Sequence, residues 1–399
     1  MGSSLRCRPA PAHPSIGSPN SPPGGRPDGG GRTGRPGRAA IRGWRAGRSG
    51  PQTRPVKAVV YQGPGAVAVT ELPEPRIEHP RDAIVRVTRT GVCGTDLHPY
   101  RGEIPGFRAG TVLGHEFAGT VQSAGPEVPF ATGQRVFASD VIACGRCPQC
   151  ARGWHYQCPA ASLFGYSTVV GADVAGGQAE LVRVPFADVV LAATPDGVTD
   201  EQAVFVGDVL TTGYAAVRAA GVAPGSVVAV VGAGPVGLLS AICAEAAGAA
   251  WTVLADPAAD RRAQAGALGL RAVPPDRLPA AVRELTGGGA DCVVEAVGTD
   301  PALACALQAA GPHATVAVVG AHHSTGTPFP TGLAFARELT VRFAVGDPIR
   351  FRDPVLALVR SGRVDPSRIV SQRLPLAAAE QAYRLFDTQQ AVKVILTAG

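Results

Sequence analysis

The stretch Val227-Val-Ala-Val-Val231-Gly232-Ala-Gly234-Pro235-Val236-Gly237-Leu-Leu-Ser-Ala-Ile242 decides the fold. Its apolar start predicts a buried strand over 226–231, and the residues after the glycines predict a helix over 235–247. Gly232 permits the tight turn, Gly234 lets backbone approach a pyrophosphate, and Gly237 lets helix and strand pack closely. Pro235 and Val236 open the helix, whose free N–H groups and positive dipole end suit the phosphates. An acid closes the next strand, Asp256, 19 residues after Gly237. It is placed to accept both ribose hydroxyls and to repel a 2′-phosphate, so NAD is the expected cofactor. Arg261 is the reservation, since a nearby arginine accommodates that phosphate.

Working outward, strands alternate with helices. Strands are predicted at 250–254, 291–296 and 314–319, with helices at 258–268 and 301–310. This alternation implies a doubly wound parallel sheet. A single helix is predicted over 200–220 just before it. Upstream, short strands at 56–61, 66–71, 83–89, 116–124, 135–137 and 179–184 are punctuated by Pro, Gly and Asp turns, which reads as an antiparallel, barrel-like domain. After about 341 come helices near 354–361 and 376–387 and a strand-like 392–397. The expected organisation is a tail 1–55, a catalytic domain 56–206, a dinucleotide-binding domain 207–340 and a return to the first domain over 341–399.

Cys144-x2-Cys147-x2-Cys150-x7-Cys158 is the sharpest local feature. Four thiolates on a Gly/Pro-rich loop suit a closed tetrahedral zinc site with no position open to substrate, hence a structural one. Disulfides or a redox CxxC pair are the alternatives. A second set is dispersed: Gly91-Val-Cys93-Gly-Thr95-Asp96-Leu-His98, then Gly114-His115-Glu116, then Gly207-Asp208-Val-Leu-Thr-Thr212. A lone Cys or His is more often a packed core residue than a ligand. Spacing alone does not join these segments.

Taken in order, GVCGTDLH, GHE, the four-cysteine lobe and GAGPVG resemble a zinc-dependent alcohol dehydrogenase of the medium-chain dehydrogenase/reductase superfamily, over nearly all of 56–399. The resemblance implies a GroES-like catalytic domain plus a Rossmann sheet, one catalytic and one structural zinc, and NAD. It implies Cys93, His115 and Asp208 as catalytic zinc ligands. Asp208 stands where Cys is commoner and is similar to the formaldehyde dehydrogenase-like branch, as is Gly176-Gly-Gln178-Ala-Glu180. Asp96 is then expected to orient His115 and Glu116 to sit behind the metal. Lys393 is expected near Glu116 and the pyrophosphate, and Thr212 against the nicotinamide. Thr95 and His98 are expected to carry the substrate proton to solvent. Hydride transfer between an alcohol or aldehyde and NAD follows, with a primary alcohol or a formaldehyde–thiol adduct favoured. A polyol or secondary-alcohol dehydrogenase of the sorbitol, threonine or butanediol type is the alternative. The family's habits imply a homodimer or homotetramer.

The chain's 399 residues carry a net charge of +6, but residues 1–55 alone carry +9 with ten Arg, twelve Gly and ten Pro. The body is therefore slightly acidic, and no nucleic-acid binding is expected from it. A nucleic-acid-binding arm at 1–55 is the non-enzymatic alternative. The simpler expectation is that the native protein starts at Val56 and the tail is translated upstream sequence. No apolar run predicts a membrane span. Metal-type cysteine spacing points to a reducing cytoplasm.

Overall fold

The structure is a computed structural model that describes residues 54–322 and 326–398. The expectations about the tail lie outside the described residues. Six parallel strands form one sheet: Arg271–Val273, Trp251–Ala255, Val227–Val231, Ala290–Glu295, Ala310–Val318 and Thr340–Phe343, in that spatial order. The order reverses between Val227–Val231 and Ala290–Glu295, the switch point at which such sheets bind ligands. All five residues of Val227–Val231 are buried. Val228 and Val230 pack into one core, and Ala229 and Val231 into another on the opposite face. A strand covered on both faces has no reason to alternate with polar residues, which is why it reads as a continuous apolar run.

The second sheet is built around the long strand Ala83–Val92, which pairs antiparallel with Phe117–Ala124, Leu181–Val184 and Val394–Thr397. The chain's last strand thus joins this second sheet, with Val394 opposite Val92. That pairing carries Lys393 to Glu116. The hairpin Val56–Gly63/Ala66–Leu72 packs alongside.

The structure differs from the sequence expectation in several places. The helix expected over 200–220 is two helices, Asp200–Val206 and Val209–Ala220, broken at Gly207-Asp208. A helix Gly94–Tyr100 follows Cys93 where none was expected. Helix Leu278–Thr286 and edge strand Thr340–Phe343 are also additional. The helix expected near 354–361 begins earlier, at Pro348, with Asp347 capping it. Among the described residues no helix is long and apolar enough to cross a membrane.

Candidate functional site

Three segments distant in sequence meet in the interior. Cys93 follows strand Ala83–Val92 and precedes helix Gly94–Tyr100, which puts Thr95, Asp96 and His98 on its turns. The Asp96 carboxylate accepts the Cys93 backbone N–H at 3.0 Å through Oδ2, fixing the start of that helix. His115 and Glu116 immediately precede strand Phe117–Ala124. Asp208 sits in the break between the two helices, with φ −156° and ψ −88°. Its Oδ2 lies 3.3 Å from His115 Nε2 and accepts from the Cys93 thiol at 3.7 Å. Its Oδ1 accepts from the Thr212 hydroxyl at 3.4 Å. Ligand atoms of Cys93, His115 and Asp208 all lie within 4.8 Å of one another, and all three residues are buried.

The electrostatics of this pocket call for a cation. Burial opposes charge on His115, yet the Asp96 carboxylate and then Asp208 hold its pKa well above the ordinary value. Burial, followed by the charges of Glu116 and Asp208, pushes the Cys93 thiol up to about 11. Asp96 Oδ1 faces His115 Nδ1 at 3.4 Å, but neither imidazole nitrogen makes a well-aligned hydrogen bond. Two unsatisfied ring nitrogens, a thiol and a carboxylate, converging away from water, are costly without a partner. Sulfur, imidazole nitrogen and carboxylate oxygen are the donor types zinc takes, and three of them leave a fourth position open. These residues fit a catalytic zinc.

Behind the pocket, Glu116 and Lys393 form an ion pair, both with 0% of the side chain exposed. Glu116 Oε1 has no hydrogen-bond partner. Burial raises the Glu116 pKa against the pull of Lys393. Burial works against the Lys393 charge too, but Glu116 holds its pKa above the usual lysine value. Lys393, expected near Glu116 and the pyrophosphate, is fully buried with its ammonium on Glu116.

The four lobe cysteines also converge, with ligand atoms within 4.8 Å of one another. Their sulfurs stand 3.5 Å (Cys147–Cys150), 3.6 Å (Cys158–Cys144) and 3.8 Å (Cys147–Cys158) apart, so none is disulfide-bonded. The Cys150 backbone N–H helps bring Cys147 down to about 7, while burial pushes Cys150 up to about 12. A closed thiolate cage of this kind fits a structural zinc.

The glycine-rich turn joins strand Val227–Val231 to helix Pro235–Ala246, as its sequence predicts. Gly232 has φ +101°, and a Cβ on Gly237 would lie 1.9 Å from the Gly232 carbonyl oxygen. Asp256, buried, accepts from Ala233 N and Ala258 N, both at 2.9 Å. Arg261 Nη1 lies 3.6 Å from Asp256 and 4.0 Å from where a Cβ on Gly234 would be, so its guanidinium overhangs the glycine turn. His98 Nδ1 is 2.6 Å from the exposed carboxylate of Glu103, outside the three-ligand cluster.

Sequence reasoning missed the shell around these ligands. Gln178 donates to Gly91 O (3.1 Å) and Asp96 Oδ2 (3.3 Å), and accepts from the Tyr383 hydroxyl at 2.9 Å. Its place in Gly176–Glu180 was the only signal; nothing in the sequence joins Tyr383 to it. The buried Asp140, hydrogen-bonded by Tyr156, was missed too.

Comparisons agree with this geometry. Residues 79–195 match the alcohol dehydrogenase GroES-like domain family, and residues 235–361 the zinc-binding dehydrogenase family. A Mycobacterium tuberculosis protein described as a probable zinc-binding alcohol dehydrogenase is 38% identical over 330 residues, 82% of this chain and 84% of that protein. The solved alcohol dehydrogenase TADH of Thermus sp. ATN1 superposes with TM-score 0.82 at 40% identity, covering 86% of this chain and 99% of that one. A Sinorhizobium meliloti protein assigned as a zinc-binding dehydrogenase, solved with NADP, gives TM-score 0.76 at 29% identity, covering 86% of this chain and all of that one.

Proposed function

This chain belongs to the zinc-dependent alcohol dehydrogenases of the medium-chain dehydrogenase/reductase superfamily, and from that premise we propose that Cys93, His115 and Asp208 hold its catalytic zinc. It is an oxidoreductase of alcohols using zinc and NAD(P). The observation that carries the ligand assignment is the buried convergence of these three side chains, with both His115 nitrogens unsatisfied. When bound, zinc supplies Lewis-acid polarisation of the substrate oxygen and the dinucleotide supplies the hydride acceptor.

The chain's own residues do the rest. Asp96 faces the second nitrogen of His115 and sets its tautomer. Gln178 and Tyr383 hold Asp96 in turn. Glu116 and Lys393 balance charge behind the ligands. Thr95 relays the substrate's proton and His98, next to Glu103 near the surface, releases it. Gly232, Gly234, Pro235, Val236 and Gly237 cradle the pyrophosphate, and Thr212 bounds the nicotinamide pocket. Asp256 receives the adenosine ribose, and its buried carboxylate disfavours a 2′-phosphate, so NAD is preferred over NADP despite Arg261. Cys144, Cys147, Cys150 and Cys158 hold the structural zinc.

The substrate is a primary alcohol or aldehyde, with a formaldehyde–thiol adduct the most specific form of the reading. Asp208 as third ligand and the Gly176–Glu180 segment support it. The protein works in the cytoplasm, in keeping with eight free cysteines among the described residues. It is a homo-oligomer: edge strand Thr340–Phe343 leaves one side unpaired, with Phe343 68%, Val345 62% and nearby Phe335 88% exposed.

The test is NADH formation by zinc-loaded protein given NAD with ethanol, benzyl alcohol, sorbitol, threonine, or formaldehyde with and without a low-molecular-weight thiol. Turnover of primary alcohols or of formaldehyde plus thiol supports the reading. Turnover of sorbitol, threonine or other secondary alcohols alone overturns the substrate assignment.

A further inference from the structure

His155 and Tyr156 are neighbours on the four-cysteine lobe, in the short turn His155–Gln157 that leads into Cys158. Neither is a metal ligand, yet both side chains leave the lobe and end on the two supports of Asp208.

Tyr156 donates its hydroxyl to Asp140 Oδ2. Asp140 Oδ1 accepts the Val141 N–H at 2.7 Å, so the carboxylate is held at both oxygens. The backbone N–H of Asp140 donates to Gly207 O at 3.0 Å, directly before Asp208. The approach is close: a Cβ on Gly207 would lie 2.2 Å from Ala138 O. Gly207-Asp208 is where the helix breaks, so this contact holds the irregular backbone in register.

His155 grips the other side. Its backbone N–H and Nδ1 both reach the buried Asp347, at 3.0 Å and 2.9 Å. Asp347 caps helix Pro348–Arg360 by accepting Arg350 N at 3.0 Å, which fixes the chain just before it. There, Gly346 lies against Thr212; a Cβ on it would stand 2.2 Å from Thr212 Oγ1. Thr212 donates its hydroxyl to Asp208 Oδ1 and its N–H to Asp208 O at 2.8 Å. That leaves Oδ2 as the oxygen turned toward Cys93 and His115.

We propose that His155 and Tyr156 are positioning residues for Asp208, so that the four-cysteine lobe governs how tightly the other centre holds its metal. The proposal rests on the reading of Asp208 as a ligand. One strut sets the backbone before Asp208 and the other sets its spare carboxylate oxygen. Loss of an outer partner of a metal ligand costs about 10–100-fold in metal affinity.

The experiment follows release of zinc from the full chain to a chelator, with total zinc counted and the lobe thiols monitored by a thiol reagent. Cobalt-substituted protein supplies an electronic spectrum that reports ligand geometry. Tyr156→Phe and His155→Leu are expected to keep the lobe ion and thiol protection, yet to release the second ion about tenfold faster or more and to shift the cobalt bands. His155→Asn, whose amide nitrogen sits near the position of Nδ1, is expected to restore the native release rate. Wild-type release rates and spectra in Tyr156→Phe, or in His155→Leu where the first variant does not fold, overturn the proposal. A wild-type chain that holds only one ion, or an Asp208→Asn variant that still holds two, overturns instead the ligand assignment beneath it.

Discussion

Replacing Lys393 by methionine removes the cation that is ion-paired with Glu116. Both side chains are 0% exposed, so solvent does not screen the pair. Methionine matches the aliphatic stem in length, so little packing is lost and the charge term is isolated. What remains is a buried carboxylate with Oε1 already unpartnered, beside the Asp208 charge that also raises its pKa. Breaking one side of a buried pair costs about 3–5 kcal/mol. At a urea slope of about 3 kcal/mol per molar, that lowers the unfolding midpoint by about 1–1.7 M. The double variant Glu116→Gln/Lys393→Met takes the stranded charge away and is expected to recover at least half of the loss. The assay is urea unfolding of the zinc-loaded protein by far-UV circular dichroism across this cycle. A Lys393→Met variant within about 1 kcal/mol of the parent, or a double variant worse than the sum of the singles, refutes the reasoning.

Asp256→Ser removes the buried charge while leaving Arg261 over the glycine turn, so the ratio of kcat/KM for NADP to that for NAD should rise at least tenfold; an unchanged ratio contradicts the role given to Asp256. Gly237→Ala drives a methyl against the Gly232 carbonyl and should cost about 1–3 kcal/mol and raise the KM for the dinucleotide, seen by thermal melting and initial rates. Tyr383→Phe leaves Gln178 Oε1 buried without its donor and should cost about 1–3 kcal/mol, measured by the same urea titration. Burial, against the pull of Arg108, raises Asp173 above its ordinary 3.8, so the folded state binds that proton more tightly than the unfolded chain. Its contribution is favourable below 3.8 and is lost as pH rises through the folded value; Asp173→Asn should flatten that part of the stability profile.

The parallel sheet and its glycine turn were legible because a doubly buried strand and a glycine-rich strand-to-helix turn each leave a contiguous mark. The lobe cysteines were legible for the same reason: four cysteines lie within fifteen residues. Asp208 was nameable only through the family resemblance. Apolar periodicity runs from Ala203 to Ala220 without a gap, and nothing local shows that Gly207 is pinned to strand Arg135–Ala138 and forces the helix to break. His155, Tyr383 and Asp347 were invisible because their partners are set by tertiary closure: 192 residues separate His155 from Asp347, and 205 separate Gln178 from Tyr383. Edge strand Thr340–Phe343 is short and exposed, so it lacks the apolar run by which its neighbours were found.

The most direct test compares the wild-type chain with Asp208→Asn, counting zinc per chain and following NADH formation from NAD and a primary alcohol. The account predicts two ions and turnover for the wild type, and for the variant one ion, held by the four cysteines, with turnover reduced at least a hundredfold. Two retained ions together with undiminished turnover in Asp208→Asn would contradict it.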